Sequence, residues 1–199
     1  MKQRHIHFIE EGFLFSIDKK LSEYQVRYIN RVFLDSFFVW LATLDKKYFA
    51  LGAIYGYLFW NDLNLVQIAS LLIVLIFSDQ LCRWCFKKPI HRLRPIKWYA
   101  HKVIDLHESH PEYAVLEKFR PYVAWFSHAS MCSSHTANFF AQGLLLNYFV
   151  PDYGFWILCL FISVGFGRMY IGAHWFSDVC VGWAVGYISY ITVLHLFNF

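Results

Sequence analysis

Three observations predict an all-α integral membrane bundle of about five transmembrane helices, or six if a weaker segment is counted, with an N-terminal interfacial helix. The 199 residues are 58% hydrophobic and only 16% charged, with a mean hydropathy of +0.37. A soluble domain usually carries about 25% charge, so this chain lacks the polar surface to cover itself in water. Second, the apolar residues gather into runs that approach the roughly 20 residues needed to cross a bilayer. Third, the charge is segregated along the chain. The length is that of a single domain, residues 1–199, with no room for a separate soluble catalytic unit. The net charge of +4 is too small to argue for nucleic acid, and loop Lys and Arg are explained by anionic lipid headgroups.

The elements follow in chain order. Residues 1–45 mix Phe8, Phe13, Leu14, Phe15, Ile17 and Leu21 with Glu10, Glu11, Asp18, Lys19 and Lys20. No continuous apolar stretch or cleavage site of a signal peptide stands out, and the segment reads as an interfacial amphipathic helix. Val32–Leu44 is a partly embedded segment; Asp35 breaks it, which makes six spans the weaker count. The five predicted spans are Tyr48–Trp60, Val66–Phe86, Thr136–Val150, Phe155–Ile171 and Trp175–Phe197. A Pro151-Asp152-Tyr153-Gly154 turn separates the third span from the fourth. Between the second and third lies a Pro-, Lys-, Arg- and His-rich loop, residues 87–133. Structureless loops beyond about 12–15 residues are usually functional.

The eighteen Lys and Arg divide as eight at positions 2–47, nine at 83–120 and Arg168. In a five-span topology all of them share one membrane side. The turns at 61–65 and 151–154 and the C-terminus share the other. The five cysteines, Cys82, Cys85, Cys132, Cys159 and Cys180, are an odd number, and Cys159 and Cys180 fall in apolar runs. They read as small buried hydrophobes and not as a disulfide framework. Cys82-x-x-Cys85 lacks the second pair that a zinc site would need.

On the charged side three clusters stand where spans meet the surface: Lys87 to Arg94-Pro95, Cys132-Ser133-Ser134-His135, and Gly167-Arg168 to His174 and Asp178. Together they describe an anion site with a nucleophile. Lys87, Arg94 and Arg168 supply positive charge and forked donors suited to phosphate oxygens. Ser133 and the backbone N–H groups opening the third span add donors, because a helix N-terminus favours an anion. His174 and Asp178 stand four apart on one helical face, so the carboxylate is expected to accept one ring N–H and leave the other nitrogen free to attack. His135 is the expected proton donor to a leaving alkoxide. Each feature alone has a plainer reading. Lys87-Lys88 at a span end can simply snorkel, and a His at a helix start is often a satisfied polar group. Arg92 either touches phosphate or anchors its loop. Asp79 inside the second span reads as a polar bridge between helices. His91, His101, His107, His110 and His128, with Asp105, Glu108, Glu112 and Glu117, read as loop surface.

In these motifs the chain resembles the type 2 phosphatidic acid phosphatase superfamily, whose pattern is K-x6-R-P, P-S-G-H and S-R-x5-H-x3-D. Lys87-x6-Arg94-Pro95 and Arg168-x5-His174-x3-Asp178 match; Cys132 replaces Pro, Ser134 replaces Gly and Gly167 replaces Ser. The resemblance implies a membrane lipid phosphatase with a phosphohistidine intermediate. In that scheme His174 attacks phosphorus, Asp178 orients it, and His135 protonates the leaving oxygen. Lys87, Arg94, Ser133, Ser134 and Arg168 hold the phosphate. It also implies no metal and no organic cofactor, and a lipid phosphate as partner: undecaprenyl pyrophosphate, phosphatidic acid, phosphatidylglycerol phosphate or lipid A phosphate. A lipid phosphotransferase would use the same site. A non-catalytic protein binding anionic lipid, or haem between His135 and His174, is the reading from another class. A vanadium haloperoxidase shares the anion site, but those members are soluble. The resemblance places the site on the extracytoplasmic side of the inner (plasma) membrane, whereas the positive-inside rule places the Lys/Arg-rich side in the cytoplasm. Catalytic charge confounds that rule, so the family orientation is the expected one.

Overall fold

The computed structural model describes residues 13–26, 31–44, 56, 63–90, 92–98, 118–123 and 129–199. Six helices organise them: α1 (Phe13–Val26), α2 (Val32–Ala42), α3 (Leu65–Leu81), α4 (Ser134–Phe149), α5 (Pro151–Tyr170) and α6 (Phe176–Phe197). α3 continues into a π-helical turn, Cys82–Lys87. Among the described residues three helices are long and apolar enough to cross a membrane: Leu65–Lys87, Pro151–Tyr170 and Phe176–Phe197. The predicted span Tyr48–Trp60, apart from Gly56, lies outside the described residues.

Local sequence explains the helix ends. Asn64 opens α3 with a reciprocal cap: its side chain accepts from the Gln67 N–H at 3.0 Å, and the Gln67 side chain accepts from the Asn64 N–H at 2.9 Å. Ser133 caps α4. The expected turn at 151–154 is instead the first turn of α5, leaving Val150 alone as the joint between α4 and α5. Pro151 at the first helical position has the φ a helix needs and no N–H to lose. Gly154 lets the two helices touch there, since a Cβ on it would lie 2.4 Å from the Asn147 Cα.

α4 is the inner helix of the bundle, packed by α3, α5 and α6. Leu145, Leu146, Phe139, Phe161, Val164, Val74 and Val193 form the apolar core around it. Its bridge to α3 is the Ser78 hydroxyl donating to the Asn138 side chain at 2.5 Å, the role expected of Asp79. α6 comes close to α4 through Gly182-x3-Gly186, the small-residue spacing that lets membrane helices approach. A Cβ at Gly182 would stand 2.8 Å from the Ser133 carbonyl oxygen, and one at Gly186 2.7 Å from that of Ala137. This contact sets the start of α6 against the start of α4, and the Ser133 N–H donates to the Asp178 carbonyl at 3.1 Å.

α1 and α2 pack at the polar end. Phe13 and Leu14 are exposed while Phe15 and Asp18 turn inward, so the buried face of α1 carries a carboxylate. Asp35 on α2 accepts from Lys118 Nζ and the Tyr170 hydroxyl, both at 2.6 Å, which accounts for a charge within an apolar helix. Gly182→Ala and Gly186→Ala should each cost about 1–3 kcal/mol by overpacking against backbone. The measurement is a lowered thermal unfolding midpoint in detergent.

Candidate active site

Antiparallel alternation brings the end of α3, the start of α4, the end of α5 and the start of α6 to one end of the bundle. Lys87, Ser133, Ser134, His135, Arg168, His174 and Asp178 all arrive there, and the loop after α3 adds Arg94. This loop is not structureless where it is described. The Ile96 N–H donates to the Gly172 carbonyl at 3.0 Å, the Ser130 N–H to the Arg92 carbonyl at 2.7 Å, and Trp175 Nε1 to the Leu93 carbonyl at 2.8 Å. Residues 92–96 are thereby laid across the α5–α6 junction.

His174 is buried in that junction. Its Nδ1 stands 2.8 Å from the Ser130 carbonyl, and its Nε2 is 3.4 Å from an Arg94 guanidinium nitrogen. The expected direct hydrogen bond from the ring to Asp178 is not made: Nδ1 and the carboxylate are 3.8 Å apart. Asp178 is already committed elsewhere. It accepts from the Ser130 hydroxyl, from the Trp175 N–H at 2.8 Å and from Arg92 at 2.9 Å. It acts on the imidazole through Ser130, whose hydroxyl it holds while the Ser130 carbonyl takes the ring N–H. A protonated Nδ1 leaves Nε2 with its lone pair.

Around this ring the cations gather. Burial, reinforced by the positive charges of Arg94, Arg168, Lys87 and His135, holds the His174 imidazole well below its ordinary value of 6.5. Arg94 donates to the Ala173 carbonyl at 3.0 Å, which fixes its fork beside the imidazole. Arg168 donates to the Ala42 carbonyl at 2.9 Å, one of the orphan acceptors at the end of α2. Lys87 donates to the Ser134 hydroxyl. The Ser133 Oγ accepts from the Thr136 N–H at 3.4 Å and the Thr136 hydroxyl at 2.9 Å, which leaves its own proton to donate. His135, half-buried, follows in the first turn of α4. Two α-helical N-termini face the same cluster, adding positive potential.

Arg92 resolves as an anchor. It is buried, with one nitrogen 2.9 Å from Asp178 and the other 2.5 Å from Asp18 on α1. Asp18 in turn accepts from the Ser177 N–H at 2.8 Å and the Ser177 hydroxyl at 2.6 Å. Phe15 and Trp175 flank the guanidinium at 5.9 and 5.4 Å. Asp18 and Ser130 are the residues that sequence reasoning missed. Asp18 was legible only as a charge one helical turn after Phe15 on a face that buries aromatics; nothing in the sequence marks Ser130. Gly167, where the motif has Ser, has a packing reason. A Cβ there would stand 3.0 Å from the Ala42 N atom and the Leu41 Cβ, so a side chain would press on the close seat of α2. His91, His101, His107, His110 and His128, and Asp105, Glu108, Glu112 and Glu117, lie outside the described residues.

Residues 64–199 match the PAP2 superfamily, and the chain belongs to it. Among solved structures the fold is similar to one described as the first transmembrane PAP2 type phosphatidylglycerolphosphate phosphatase from Bacillus subtilis. The TM-score is 0.65 at 18% identity, covering 96% of this chain and 89% of that one. No curated protein matches by sequence. The shared fold and the apolar helices make this an integral membrane protein.

Two outcomes follow from the site's electrostatics. Arg92→Met strands two buried carboxylates, and breaking a buried pair costs about 3–5 kcal/mol; the variant should unfold at lower temperature in detergent than the wild type. His174 binds a proton below about 6.5 in the unfolded chain but only well below that in the folded one. Its contribution to stability is therefore complete above that pH and declines as pH falls below it. A pH series of unfolding midpoints should show this decline in the wild type and a shallower one in His174→Gln.

Proposed function

We propose that the protein is a membrane lipid phosphatase that removes a terminal phosphate from a lipid phosphate or lipid pyrophosphate through a phosphohistidine intermediate. The observation that carries this reading is a neutral, buried His174 with its Nε2 turned to Arg94, and with Arg168, Lys87 and His135 close enough to depress its proton affinity. A neutral imidazole among four cationic groups is poised for an anion that it can attack. Family membership supports the same reaction class.

In this scheme phosphate oxygens bind Arg94, Arg168, Lys87 and the hydroxyl and backbone donors of Ser133 and Ser134. Those charges stabilise the equatorial oxygens of the transferring group. Nε2 of His174 attacks phosphorus while Nδ1–H, donated to the Ser130 carbonyl, spreads the positive charge that develops on the ring. His135 protonates the departing lipid oxygen and then activates water against the phosphohistidine. Asp178 serves as the orienting group at one remove. Residues 1–199 act as one unit, because α1 reaches the site through Asp18. The lipid arrives laterally, since the site lies at the end of membrane-spanning helices. Phosphatidylglycerol phosphate leads the candidate substrates, on the strength of the similar structure's description. The site faces the extracytoplasmic side, and the C-terminus is then cytoplasmic, which a reporter fused after Phe199 reads.

Phosphate release from a panel of lipid phosphates in mixed micelles tests the activity. His174→Ala should abolish turnover with the protein still folded. His135→Asn should lower kcat by about 10²–10⁴-fold, the usual worth of a general acid–base group. Full turnover in His174→Ala would overturn the assignment.

A further inference from the structure

Two cysteines 50 residues apart in sequence meet beside the site. Cys82 opens the π-helical turn at the end of α3, and Cys132 immediately precedes Ser133. Their sulfurs are 2.9 Å apart, and both residues are fully buried. Ala137 and Val185 complete the cluster, and Leu81, Phe86, Met131 and Val181 pack over it. The sequence reads the cysteines as small buried hydrophobes; the fold pairs two of them. The other three are placed differently: Cys85 and Cys159 are exposed, and Cys180 is half-buried.

We propose that Cys82 and Cys132 are joined by a disulfide that staples the end of α3 to the loop carrying Ser133, Ser134 and His135. One turn further along, Lys87 donates to Ser134 across the same gap, so the covalent link would hold the register on which that contact depends. Cys132 also stands where the motif has a Pro, replacing a rigid residue with one that can be tethered. The oxidant is a disulfide carrier. The Cys132 thiolate attacks the carrier's disulfide, forming a mixed disulfide and releasing one carrier thiolate. The Cys82 thiolate then attacks the Cys132 sulfur and displaces the second. The two protons lost by the cysteines reprotonate the carrier, which leaves as a dithiol with both electrons. Because packing encloses both sulfurs, exchange precedes docking of the loop, and the finished bond is shielded from reductant. Disulfides persist in oxidising compartments, which agrees with the extracytoplasmic orientation proposed above. The staple itself rests on no part of the phosphatase reading.

The test is a thiol count on the full-length protein. Cells are quenched in acid, the protein is denatured in N-ethylmaleimide without reductant, and the intact mass is measured. Three adducts are expected on the wild type, five after reduction, and four on unreduced Cys82→Ser. Peptide mapping should find the 82–132 link. Five adducts without reduction, or a link between any other pair, would overturn the proposal, whatever the activity assay or the topology reporter reads. If the count is three, a reductant in the denaturation buffer should lower the unfolding midpoint of the wild type and leave Cys82→Ser/Cys132→Ser unmoved. A midpoint unmoved in the wild type would overturn the stapling role.

Discussion

The geometry of the polar end depends on one buried guanidinium. Arg92 reaches Asp178 at the start of α6 and Asp18 on α1 at once, and its own carbonyl receives the Ser130 N–H. A charge removed from water is costly unless its partners are close and well oriented. Here the two carboxylates answer that cost, and the Ser177 backbone and hydroxyl satisfy what Arg92 leaves of Asp18. One residue thus ties together the N-terminal helix, the loop after α3, the strand of chain before α4 and the start of α6. The imidazole of His174 hangs from that frame by its hydrogen bond to the Ser130 carbonyl.

The frame and the reactive groups divide the charge between them. Arg92 is held between Asp18 and Asp178, whereas Arg94 stands 3.4 Å from the imidazole and Lys87 reaches Ser134 at the start of α4. Burial, reinforced by Arg94, Arg168, Lys87 and His135, keeps His174 neutral. The same crowding of positive charge that disfavours a proton on the ring favours an anion beside it. Glycine governs how tightly this is drawn: Gly182 brings α6 onto the Ser133 carbonyl, and Gly167 admits α2 against α5.

Much of this was legible beforehand. Long apolar runs marked α3, α5 and α6, because a bilayer imposes a length on whatever crosses it. The His174–Asp178 spacing and the clustered Arg and Lys marked the site. The 151–154 segment reads as a turn because Pro and Gly are turn residues in isolation; packing of Gly154 on Asn147 decides that the helix begins there. The direct bond from His174 to Asp178 fails because His174 lies before α6, which begins at Phe176, so helical spacing does not place the two on one face and the Ser130 carbonyl takes the ring N–H.

By itself the sequence determined the solvent this protein lives in, the polar end of its bundle and the residue types gathered there, since composition, run length and motif spacing are local properties. Tertiary structure alone decided that Arg92 is a clamp, that Asp18 and Ser130 belong to the site, and that Cys82 faces Cys132. Each of those roles depends on a partner distant in the chain, and only the packing of helices through close glycine contacts brings such partners within reach.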